Sequence, residues 1–150
     1  MLKAGRFTVT AAVATFLALA AATQAERAQP DASNVNVTVK YTGKGAVDAD
    51  HKIWVWLFDT PEIGPAAQPI AEEAMSKNGG TISFGNVAAK TVYVAVAYDE
   101  KGGFTGQAPP PPGSPIAIYG AKGPDGTAQP VTPGAKASVT ITFSDAVRMQ

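Results

Sequence analysis

Few residues in this 150-residue chain have the chemistry for catalysis or metal binding. Cysteine is absent, and histidine occurs once, as His51 between Asp50 and Lys52. A zinc centre or a nucleophilic triad draws on convergent imidazole or thiolate groups, so His51 by itself reads as a surface ring. Blue-copper chemistry is excluded, because its thiolate ligand does not exist here. Two pairs of adjacent carboxylates, Glu72 with Glu73 and Asp99 with Glu100, are the remaining candidates for acid and base work. Neighbours on a strand point to opposite faces and neighbours in a loop are solvated, so neither pair is expected to act as a unit.

The densest stretch is DEKGGFTG, residues 99 to 106. Calcium takes six to eight oxygens from alternating acidic or amide side chains. Here only Asp99 and Glu100 offer carboxylates, and Lys101 sets a positive charge beside them. The reading adopted is a turn, with Asp99 ending a strand, Gly102 and Gly103 supplying positive φ, and Phe104 re-entering apolar surroundings. A weak calcium site is the alternative; no cofactor or metal is expected.

Aromatic residues form the other candidate surface. In KIWVWLFD, residues 52 to 59, Trp54, Trp56 and Phe58 share one face and Ile53, Val55 and Leu57 the other. The aromatic face is expected to be core. Were the aliphatic face the core, two exposed indoles would mark a binding surface, for which sugar C–H faces are suited. Candidate ligand or partner residues are therefore Trp54, Trp56, Asp99, Glu100, Phe104 and Tyr119.

These residues must be carried by strands. NVNVTVKY (34 to 41) alternates strictly, with Val35, Val37, Val39 and Tyr41 on one face. KIWVWLFD is apolar on both faces, so one side belongs to the core and the other lies under a loop or partner. TISFGNV (81 to 87), TVYVAVAYD (91 to 99), PIAIYG (115 to 120) and KASVTITFSD (136 to 145) complete the strand set. In the second of these, Val92, Val94, Val96 and Tyr98 are expected to face the core. IAEEAMSKNGG (70 to 80) is expected to make two helical turns ended by Asn78-Gly79. Residues 102 to 135 hold PPPP at 109 to 112 and read as a stiff, extended connection. Use of that run as a ligand for an aromatic groove is a minor alternative.

The first 25 residues run from Lys3 and Arg6 through an apolar stretch, Phe7 to Ala22, to small residues around Ala25. That order is a secretory signal peptide, cleaved after Ala25 or alternatively Ala22. Residues 26 to 33 are a flexible lead-in and 34 to 150 one domain. Loss of Lys3 and Arg6 leaves ten basic against twelve acidic residues, a net charge of −2. The basic residues are scattered singly, so neither nucleic acid nor an anionic membrane is an expected partner. The expected location is periplasmic or secreted.

The order KIWVWLFD, then G-x-I-x-F-x-N-V, then T-V-Y-V-A-V-A-Y-D, a Gly loop, a Pro-rich loop, P-I-x-I-Y-G and V-T-I-T-F-S-D resembles the prealbumin-like (transthyretin-like) sandwiches. More narrowly, it is similar to carboxypeptidase regulatory-like domains of exported bacterial proteins, with Phe84, Val87, Tyr93, Val94, Ala95, Ala97 and Asp99 carrying the likeness. The resemblance implies an all-β, antiparallel, two-sheet Greek-key sandwich of about six or seven strands. The functional expectation is a non-enzymatic binding or structural module with a protein or carbohydrate ligand at the cell envelope. Its alternatives are a carbohydrate-binding module using Trp54 and Trp56, and a transthyretin-type hydrolase, which one histidine disfavours.

Overall fold

The computed structural model describes residues 33–122 and 126–150. The expected leader and most of the lead-in therefore lie outside the described residues. Seven strands follow in chain order: β1 (Val35–Tyr41), β2 (Ile53–Phe58), β3 (Ala71–Met75), β4 (Thr81–Phe84), β5 (Tyr93–Tyr98), β6 (Ile116–Ile118) and β7 (Ser138–Phe143). They make two sheets, ordered β4-β1-β7 and β3-β2-β5-β6, so the fold is an all-β sandwich. Each strand read from alternation or apolar runs is present.

The inter-sheet core follows from period-two patterning. Val35, Val37, Val39 and Tyr41 of β1 and Val139, Ile141 and Phe143 of β7 meet Ile53, Val55 and Leu57 of β2 and Val94, Val96 and Tyr98 of β5. The expected inward set of β5 is thus buried, with Val92 extending it. Each fully buried aliphatic side chain contributes roughly 1.5–3 kcal/mol, and with no disulfide in the chain this core carries the stability. Tyr41 and Tyr98 close one end by stacking, with ring centroids 4.3 Å apart.

Three expectations are corrected. Residues 71 to 75 are strand β3 rather than helix, pairing antiparallel with β2 from Ile53↔Met75 to Leu57↔Ala71. A two-turn helix is too short to hold itself, while the open edge of β2 offers backbone partners. Asn78 then bonds the backbone of Tyr41 twice, its Oδ1 accepting the amide N–H at 2.8 Å and its Nδ2 donating to the carbonyl at 2.7 Å. Second, the sandwich is not wholly antiparallel, since β7 pairs parallel with β1. The 119–137 connection returns the chain beside the start of β1, where the Gly134 N–H bonds the Asn34 carbonyl, so β7 runs in the direction of β1.

Third, the aliphatic face of β2 is the inter-sheet core, not the aromatic face. The indoles are nevertheless not exposed as that arrangement was expected to leave them. Trp56, Phe58, Ala95 and Ala97 form a second buried cluster on the outer face of the four-stranded sheet, with Trp54, Phe104, Ala108, Ile116 and Ile118 packed against it. The cover is the connection between β5 and β6 together with Ile63 and Ala67 of the β2–β3 connection.

Candidate functional site

The outer face of the four-stranded sheet is built on size complementarity. Register places Trp54 opposite Ala97 and Trp56 opposite Ala95, so the small β5 side chains leave room for the indoles and for a loop above them. The loop spans residues 99 to 115. Its entry is set by Asp99, whose Oδ2 accepts the Phe104 N–H at 2.9 Å, and by Gly102 and Gly103, with φ of 73° and 83°. This is the turn geometry read from DEKGG. Phe104 then packs edge-on to Trp54 at 5.5 Å and tilted against Trp56 at 6.1 Å. Gly106, at φ 96°, lies against the Trp54 ring, where a Cβ would overlap it. Its carbonyl accepts the Trp56 indole N–H at 2.8 Å. The Trp54 indole N–H is buried without a partner among the described residues.

Two adjoining cavities result, sharing Ala108 and Pro109 in their walls. One, the more polar, is a cleft of about 390 Å³ formed within the loop itself, lined by Asp99, Lys101, Phe104, Gln107 and Ser114. The other is an apolar groove of about 250 Å³ between the loop and residues 63 to 65, lined by Trp56, Ile63, Pro109, Ile116, Ile118 and, at its rim, Arg148.

Arg148 ties the chain's end to this surface. Its Nη1 lies 2.7 Å from Glu100 Oε2 and donates to the Gly113 carbonyl, and its Nη2 lies 3.7 Å from Asp145 Oδ1. The guanidinium holds the Glu100 carboxyl below the usual carboxylate range. Asp145 is held low chiefly by the Tyr41 hydroxyl, which donates to its Oδ1, and then by the Lys44 N–H. Burial, followed by the Asp145 hydrogen bond, pushes the Tyr41 phenol up; burial also raises Tyr98.

Of the residues singled out from sequence, Trp54, Trp56, Asp99, Glu100 and Phe104 come together around the loop. Tyr119 does not; it packs half-buried against the inter-sheet core. Trp56, at 2% exposure, and Trp54, under Phe104 and Gly106, present no open stacking platform. Asp99 and Glu100 both line one cleft but differ in surroundings: Glu100 is exposed and paired with Arg148, while Asp99 is buried at 6% exposure, against the expectation of a solvated loop pair. Glu72 and Glu73 are both exposed on edge strand β3. His51 is partly exposed, its Nδ1 3.0 Å from Asp48 Oδ1. No group of three or more His, Cys, Asp or Glu side chains gathers among the described residues.

Sequence reasoning missed Ser114, Gln107 and Arg148. Ser114 had one local signal, a hydroxyl set between Gly113 and Pro115 just before a strand. Arg148 had none, since a lone cation near a terminus reads as solvated.

Comparison with known proteins adds no relative. No protein-family model, curated protein or solved structure matches the chain.

Proposed function

We propose that this chain is an exported, non-enzymatic binding module of the prealbumin-like type, acting in the periplasm or outside the cell. The supporting observation is the β5–β6 connection. Antiparallel neighbours can be joined by two residues, yet this chain uses the whole of 99 to 115 and folds it into a cover with two cavities. Connections longer than about 12–15 residues in compact domains are usually either functional or linkers, and this one is packed onto the sheet through Phe104 and Ala108. The basic, apolar, small-residue order of the first 25 residues supports export. Against hydrolysis stands the lone His51, whose ring meets Asp48 and has no serine or cysteine hydrogen-bonded to it among the described residues.

The apolar groove suits the apolar body of a ligand. The naphthalene and aniline rings of anilinonaphthalene sulfonate offer such a body. Its fluorescence is expected to rise with the folded protein and to lose that rise in Ile118→Glu, which melts lower because Ile118 packs against the second buried cluster but still shows a cooperative transition. No enhancement, or one that Ile118→Glu leaves intact, would count against the groove as a ligand surface.

A further inference from the structure

Asp99 and Ser114 are the buried polar side chains among the described residues, at 6% and 9% exposure, and both line the polar cleft. The turn accounts for one oxygen, Asp99 Oδ2, which accepts the Phe104 N–H. Asp99 Oδ1 and the Ser114 hydroxyl take no side-chain hydrogen bond among the described residues, and neither is sealed from the cleft as the Trp54 N–H is sealed in the packing. Both atoms therefore reach the cleft from side chains that are otherwise buried, which sets an acceptor and a hydroxyl where a small molecule in the cleft would meet them.

Charge narrows the class. Glu100 is neutralised by Arg148, which leaves the Asp99 carboxylate and the Lys101 ammonium as opposed unit charges in the lining. A calcium ion would find one free carboxylate oxygen and a repelling ammonium, far from the six to eight oxygens it takes. An anion would meet Asp99 together with Lys101, so the lining favours neither sign of charge. A neutral molecule with many hydroxyls meets an acceptor in Asp99 and groups that both donate and accept in Ser114 and Gln107. The half-buried ring of Phe104 and the Pro109 ring supply faces for C–H groups. The cleft also falls within the size range of small-molecule sites, about 300–1,000 Å³.

We propose that the polar cleft binds a neutral polyhydroxylated ligand, such as a hexose unit of a glycan. Asp99 and Ser114 hydrogen-bond its hydroxyls, and Phe104 lies against its ring. This rests on the reading of the chain as a binding module, and it seats the sugar in the loop instead of on the tryptophan stripe.

The test is amide chemical-shift perturbation with glucose, galactose, mannose and N-acetylglucosamine, each to roughly 50 mM, with calcium chloride and putrescine as cationic arms. At least one sugar is expected to shift the amides of Gly102, Phe104, Gln107 and Ser114 with a Kd of about 1–10 mM. Ser114→Ala is expected to weaken that Kd about three- to tenfold without lowering the melting temperature, and Asp99→Asn about tenfold. Silence with all four sugars, or a cation shifting these amides where the sugars do not, would overturn the assignment. Failure here with the anilinonaphthalene sulfonate signal intact removes the sugar while leaving the binding module. Sugar shifts without that signal remove the apolar groove alone.

Discussion

Trp56 donates its indole N–H to the carbonyl oxygen of Gly106 at 2.8 Å, across fifty positions of chain. That bond fastens the β5–β6 connection to the outer face of the sheet, beside the cavities on which the functional reading rests. The neighbouring Trp54 points an equally buried N–H at no partner among the described residues. Trp56→Phe strands the Gly106 carbonyl, whereas Trp54→Phe removes an unmatched donor. Urea titrations should therefore show Trp56→Phe costing at least about 1 kcal/mol more than Trp54→Phe. Equal costs would mean that the bond contributes nothing to holding the loop.

Gly106 is required twice over, by its φ of 96° and by its approach to the Trp54 ring. Gly106→Ala is expected to destabilise by roughly 2–4 kcal/mol and to raise proteolytic nicking within 99 to 115. Gly103, also at positive φ but with nothing near its Cβ position, should cost about 1 kcal/mol as alanine. The difference between the two variants measures the packing of loop on indole.

On β5, Val94 is fully buried between the sheets while Thr91, outside the strand, is half-exposed. Val94→Ala is expected to cost roughly 1–3 kcal/mol and Thr91→Ala under about 0.5 kcal/mol. Matching losses in denaturant titrations would contradict the register in which Val94 faces the core.

Acid and alkali should each open the Tyr41 end of the sandwich. The depressed Asp145 and Glu100 carboxyls contribute stability that is present above their unfolded values, near about 4, and lost as pH falls through the lower folded values. Tyr41 and Tyr98 are raised, so their contribution is complete below about pH 10 and lost as pH rises through the folded values. Urea midpoints should fall between about pH 5 and 2, less steeply in Asp145→Asn. Phenolate absorbance should show Tyr41 and Tyr98 ionising late, together with unfolding.

Export predicts a defined start. Intact mass of the secreted or periplasmic protein is expected to place the first residue at Glu26, or at Thr23 if cleavage follows Ala22. A mass that retains Met1 or Lys3 would remove the localisation from the proposal.

Strand positions and inward faces were legible in the sequence because period-two alternation is local: Val35, Val37 and Val39, or Val139 and Ile141, declare a half-buried strand without reference to anything distant. So was the turn at Gly102-Gly103, since positive φ is a property of the residue itself. Residues 70 to 80 misled because a short acidic stretch with an Asn-Gly stop carries a helical pattern, and only the vacant edge of β2 decides that it is strand. The β2 faces were ambiguous for a similar reason: both are apolar, and both are buried, each against a different cover.

What the sequence determined by itself, then, was six of the seven strands of an all-β chain, with a single imidazole and no thiol to build catalytic or zinc chemistry on. The tertiary structure decided which face of β2 meets the other sheet, that β7 runs parallel to β1, and that Asp99 and Ser114, fifteen positions apart, line one cleft with Arg148 pinning its edge. Alternation and turn chemistry act over a few residues. Which strand lies beside which, and what a long loop covers, depends on burying the most apolar surface at once, a sum over the whole chain that no local window contains.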